Sequence, residues 1–66
     1  MTREVINNLP LEVRKVVESY RARCVSKKGE NKREVKTEIC GYAKGLRDAG
    51  LLTERERMAV VVYMFG

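Results

Sequence analysis

The sequence contains no histidine and only two cysteines, Cys24 and Cys40. Zinc is usually held by histidine and cysteine, and two cysteines without companion ligands do not complete a closed tetrahedral site. The absence of histidine also removes the side chain that most often serves as a general acid or base. We therefore expect no metal site and no cofactor.

Other marks of an enzyme are also scarce. The only aspartate, Asp48, lies near a predicted helix end, and the lysines and glutamates fall on charged helical faces. Gly41 and Gly45 lie inside a helical period and do not form a glycine-rich phosphate loop. A chain of 66 residues has little material to enclose a substrate pocket. The sequence predicts a protein that is not an enzyme.

Long hydrophobic segments are absent as well. Arg3, Glu4, Asn7 and Asn8 stand where a secretory signal would be apolar. The longest apolar run, residues 58–65, is far shorter than the roughly 20 residues that span a membrane. We expect a soluble, cytoplasmic protein with no membrane contact.

We expect the two cysteines to remain free thiols, which agrees with a reducing compartment. On antiparallel helices joined near Gly29, Cys24 and Cys40 would be offset by about 9 Å along the helix axes, at roughly 1.5 Å of rise per residue. That offset exceeds the usual separation for a disulfide. We predict two unpaired, buried thiols.

Hydrophobic periodicity predicts one all-α domain, residues 1–66, with three helices over residues 10–26, 31–49 and 54–64. Residues 1–8 are expected to form a frayed turn or an extended arm, because Pro10 stops any helix that reaches it. The predicted apolar stripe of the first helix is Leu9, Val13, Val16, Val17, Tyr20 and Cys24. The stripe of the second is Val35, Ile39, Tyr42, Ala43, Leu46 and Ala49.

Several residues mark the ends of these helices. Pro10 suits the first helical position, because it has no N–H group to leave unsatisfied there. Asn31 followed by Glu34 resembles a capping box, and Gly50 is a typical C-terminal stop. Thr53 followed by Glu56 matches the capping-box pattern fully. A strip of small residues, Gly41, Gly45 and Ala49, either receives another helix backbone or is simply a solvated face.

The third predicted helix is apolar on both sides, which is typical of a helix buried all round. Two short helices cannot readily cover it, and a chain of this size buries only about 60% of its unfolded surface. We therefore predict self-association into a homo-oligomer. The predicted interface residues are Met58, Val60, Val61, Val62, Tyr63 and Phe65. The alternative for residues 60–63 is a β-strand that pairs between two copies, because these side chains are β-branched or aromatic.

The net charge of +5 comes entirely from the first half of the chain. The excess is concentrated in Arg21, Arg23, Lys27, Lys28, Lys32 and Arg33. Such a cluster can bind an anionic partner, although no aromatic residue is interleaved among these charges to stack on bases. A helix-turn-helix around Gly50 is excluded, because Glu56 occupies a position that should face the core. Phosphate contact with nucleic acid remains the alternative function.

Three segments also resemble a known class of proteins. They are Leu9-Pro10, the end of the first helix at residues 20–24 (Tyr-Arg-Ala-Arg-Cys), and the tail at residues 50–57 (Gly-Leu-Leu-Thr-Glu-Arg-Glu-Arg). Together they resemble the small early-region proteins of lambdoid phages and prophages. The resemblance implies a helical, non-enzymatic accessory protein that acts on host or phage factors, and it assigns no functional residues. Our leading hypothesis is a regulatory protein that works by binding other proteins.

Overall fold

The computed structural model describes residues 2–66, and Met1 lies outside that range. It contains four helices: α1 Thr2–Asn7, α2 Leu11–Ser26, α3 Glu30–Asp48 and α4 Glu54–Phe65. The described part of the chain contains no strand, so the predicted all-α fold is confirmed. Residues 60–63 belong to α4, and the strand alternative for this segment is wrong.

The fourth helix, α1, is the main correction to the predicted architecture. Residues 1–8 were expected to form a frayed turn or an extended arm, but α1 packs against α4 and buries Ile6. Leu9, just after α1, is buried too. A six-residue helix is unstable alone and owes its stability to tertiary packing. The contact with α4 is the physical reason why this segment is helical.

The predicted start of α3 is also wrong in detail. Asn31 was expected to cap the helix, but α3 begins at Glu30 after Gly29, and no side chain caps it. Gly29 has a φ of 64°, in the left-handed region that glycine adopts without strain. The chain therefore turns sharply out of α2 one residue before α3 starts.

The end of α3 and the start of α4 are both fixed by hydrogen bonds between residues close in sequence. The amide of Gly50 donates to the carbonyl of Arg47 at 2.9 Å, and that of Leu51 donates to Leu46 at 3.0 Å. This bond pair is a Schellman motif, with Gly50 at a φ of 80°. The predicted capping box is confirmed at α4. The amide of Thr53 donates to Glu56 at 2.9 Å, and the amide of Glu56 donates to the Thr53 hydroxyl at 3.1 Å.

The core is organised around α4, which packs against each of the other three helices. Its inward residues Val60 and Met64 are fully buried together with Val17, Cys24 and Ile39. Three helices, not two, thus cover the inner side of α4. None of the helices described for residues 2–66 has the length and apolarity needed to cross a bilayer.

The two thiols are unpaired, as predicted, but only Cys24 is buried. Cys40 is exposed, which corrects the expectation that both thiols are buried. The reason is geometric, since Cys40 follows Ile39 directly and is therefore rotated by about 100° away from that buried position.

Candidate interaction surfaces

The outward side of α4 carries two large apolar side chains. Met58 is 58% exposed and Val62 is 67% exposed, and a spacing of four residues puts them one turn apart on the same face. Val61 and Phe65, at the edges of this face, are half-buried against the core. We call Met58, Val61, Val62 and Phe65 the α4 outer face.

The other two predicted interface residues lie elsewhere. Val60 is fully buried within the chain, so its inclusion in an intermolecular interface is wrong. Tyr63 is half-buried and packs beside α2. The helical period of the sequence places Val60 and Tyr63 away from the α4 outer face. It does not show that α1, α2 and α3 cover the side of α4 that contains Val60.

Contacts near the C-terminal end of α4 fix its rotation about its own axis. Tyr63 donates a hydrogen bond from its hydroxyl to the carboxylate of Glu18 on α2. The guanidinium of Arg21 lies over the same ring, 4.4 Å from its centroid. The hydrogen bond to Glu18 is the main reason that the pKa of Tyr63 is raised above its ordinary value. On the other side, the Lys36 ammonium lies 4.9 Å from the centroid of the Phe65 ring.

An ion-pair network holds the N-terminal end of α4. Glu54 accepts a hydrogen bond from Arg57 Nε at 3.0 Å and a second from the guanidinium of Arg47 on α3. Hydrogen bonds from Arg57 and Arg47 lower the pKa of Glu54 to about 2. With both ends of α4 anchored, Met58 and Val62 point outward as a consequence of the fold.

The structure divides the predicted basic cluster into two groups. Arg21 is stacked on Tyr63, and Arg23 forms an ion pair with Glu38 on α3 at 3.1 Å. The other four cations form no ion pair among the described residues. We call Lys27, Lys28, Lys32 and Arg33 the basic edge.

Aromatic residues do lie beside the two engaged arginines, although none is interleaved with the basic cluster in sequence. The Tyr20 and Tyr42 rings are 5.5 Å apart, and the Arg23 guanidinium lies 5.4 Å from the centroid of Tyr20. Burial is the main cause of the raised pKa of Tyr42, with the nearby Tyr20 adding to it. The contact between Tyr20 and Tyr42 joins α2 to α3, whereas Arg23 and Tyr20 are both on α2.

The strip of small residues is open to solvent. A side-chain carbon added at Gly41 or Gly45 would meet no atom within 4 Å, and Ala49 is exposed. Among residues 2–66, therefore, no helix backbone approaches the strip, and the interpretation as a solvated face applies.

No protein-family model matches the sequence, and no curated protein or solved structure shows a significant match. Among the described residues, no group of three or more histidine, cysteine, aspartate or glutamate side chains is placed to hold a metal ion. Among the described residues, the α4 outer face includes exposed apolar side chains, and the basic edge consists of exposed or half-exposed cations.

Proposed function

We propose that the protein is a non-enzymatic, cytoplasmic binding protein that self-associates through the α4 outer face. The observation that carries this proposal is the outward placement of Met58 and Val62, more than half exposed, on a helix anchored at both ends. Burying apolar surface contributes about 25 cal/mol per Å². A small domain with limited internal burial gains stability from such an interface.

The charge pattern along α4 favours a second copy of the chain as the occupant. Arg55 lies within about 20° of Val62 on a helical wheel, and no described carboxylate pairs with it. In an antiparallel pairing about a two-fold axis, Met58 of each copy packs against Val62 of the other.

The same pairing places each Arg55 at the C-terminal end of the other α4, where the helix dipole leaves partial negative charge. A parallel pairing would bring the two Arg55 guanidinium groups together. The antiparallel arrangement therefore pairs the apolar residues of this face and keeps the two Arg55 groups apart.

Light scattering over a range of protein concentrations tests self-association, with Val62→Glu as the disrupting variant. A buried, unpaired carboxylate is costly, so this variant should be monomeric at concentrations where the wild type is a dimer. Leu11→Glu is the matched control, because Leu11 is 60% exposed but lies in the first turn of α2. Circular dichroism checks that both variants are folded. A wild type that remains monomeric at high concentration, or equal dissociation by both variants, contradicts the proposal.

The resemblance to lambdoid phage early-region proteins supports a regulatory role for this assembly, exerted on a host or phage protein. Two free thiols suit the reducing cytoplasm in which such a protein would act. A pull-down from host cytoplasm should compare the wild type with Val62→Glu. A partner captured only by the wild type depends on the α4 outer face, and one captured equally by both uses another surface. If neither captures a specific partner, the regulatory role is not supported.

A further inference from the structure

We propose that the basic edge, Lys27, Lys28, Lys32 and Arg33, binds the phosphate backbone of a nucleic acid without reading its sequence. The four side chains occupy the α2–α3 connection and the first turn of α3. They account for most of the net charge of +5. This inference is independent of self-association through α4.

The arrangement of charges on α3 concentrates positive potential on one side of the helix. At 100° per residue, Lys32, Arg33 and Lys36 fall on one side. Glu30, Glu34 and Glu38 follow one another every four residues on a separate arc, at least about 60° from each of these cations. Arg23 of α2 pairs with the last of these carboxylates. The first three carboxylates of α3 thus lie apart from Lys32, Arg33 and Lys36.

The cations of the basic edge are available to an external partner. Lys27, Lys28 and Arg33 are exposed and Lys32 is half-exposed, and none has an ion-pair partner among residues 2–66. Arg21 and Arg23 differ from these four residues, because Arg21 lies over the Tyr63 ring and Arg23 is paired with Glu38. The site that we propose therefore contains four of the six cations that the sequence predicted.

The form of this edge favours nucleic acid over an acidic protein. Protein interfaces place aromatic and apolar residues at their centre and are depleted in lysine, whereas three of these four residues are lysine. Lys32 and Arg33 are adjacent within one helical turn of roughly 5 Å. A nucleic-acid strand presents about one phosphate per 3.4 Å of its axis, which matches closely spaced cations. Contacts of this kind position a protein on a duplex without specifying sequence.

Fluorescence anisotropy with a labelled duplex of mixed sequence tests the proposal at several salt concentrations. Four phosphate contacts give a slope of log K against log salt of about −3.6. Lys27→Ala/Lys28→Ala and Lys32→Ala/Arg33→Ala should each make that slope less steep by about two. A second duplex of unrelated sequence should bind with the same affinity.

Lys15→Ala/Lys44→Ala is the matched control, because it removes the same charge from exposed positions on other parts of α2 and α3. It should leave the slope nearly unchanged. Loss of binding equal to that of the two basic-edge variants would show that only total charge matters, and would overturn the assignment of this surface. Absence of duplex binding at 50 mM salt would overturn it as well. Binding to phosphatidylserine vesicles or to a polyglutamate peptide, but not to duplex, would replace nucleic acid by a membrane or an acidic protein.

Discussion

Val60 and Val62 lie two positions apart on α4 and point to opposite sides of it. Val60 is fully buried and Val62 is 67% exposed. Two residues correspond to about 200° of rotation along a helix, so neighbouring valines of the same apolar run have different roles. One side of α4 forms part of the core of the chain, and the other side is exposed.

This relationship predicts different effects for the same substitution at the two sites. Val60→Ala removes two buried methyl groups and leaves a cavity, so it should lower the free energy of unfolding by about 2 kcal/mol. Val62→Ala should change it by less than about 0.5 kcal/mol. Urea denaturation checks both, at protein concentrations low enough to keep the chain monomeric, because self-association adds to apparent stability. Equal effects at the two sites would show that α4 does not have this orientation.

The composition of α4 shows how far the sequence predicts this fold. The apolar run and its capping residues were sufficient to place a helix near residues 54–64. Which side of α4 faces the core depends on where α1, α2 and α3 pack, and that is set by contacts between residues distant in sequence. The prediction therefore included Val60 in the interface together with Val62.

Other sites show the same difference between contacts that are local in sequence and contacts between distant residues. Gly50 and the Thr53–Glu56 pair act through bonds within a few residues, so their roles could be predicted from the sequence. The contact between Arg21 and Tyr63 joins residues on different helices, and sequence spacing gave no signal of it. For this reason the basic cluster could be recognised from the sequence, but the arginines in it that contact other side chains could not.

The capping box at the start of α4 should contribute measurably to stability. Thr53→Ala removes the hydroxyl that accepts from the Glu56 amide, and loss of such a cap costs about 1 kcal/mol. For a domain of this size, that corresponds to a fall in the thermal midpoint of roughly 4–8 °C. Thr53→Ser keeps the hydroxyl and is the matched control. Differential scanning calorimetry measures both variants, and an equal loss for serine and alanine would argue against capping as the cause.

The carboxylate of Glu54 should make stability depend on pH in the acid range. Its pKa of about 2 in the folded chain lies below the ordinary value of 4.5, so the ionised form favours folding. That contribution is complete above pH 4.5 and disappears as the pH falls through 2. Wild type should therefore be more stable than Glu54→Gln near neutral pH, and the difference should shrink between pH 4.5 and 2.

Chemical denaturation of both proteins at several pH values measures this difference. The network is exposed, so 1 M salt should also reduce it. Glu34→Gln serves as the control, because Glu34 is exposed and has no ion pair among the described residues. A pH-independent gap between wild type and Glu54→Gln would contradict the role assigned to Arg57 and Arg47.

The two thiols should differ in their reactivity towards an aromatic disulfide reagent. Cys40 is exposed and should react at the rate of an accessible thiol. Cys24 is fully buried, and its Sγ lies 3.7 Å from the Phe65 carbonyl oxygen at the end of α4. It should react only when the chain opens or unfolds, because the reagent has to reach the thiolate.

Absorbance of the released thiolate, followed in native buffer and then in denaturant, separates the two reactions. Cys40→Ser should remove the fast phase, and Cys24→Ala should remove the phase that requires denaturant. Fast reaction of both thiols would show that α4 does not stay packed over Cys24. Because α4 packs on the three other helices, that result would contradict the burial of Cys24 in the core. Cys40 could instead react slowly at high protein concentration and fast after dilution. A second copy of the chain would then cover Cys40, and the contact between copies would lie there and not at the α4 outer face.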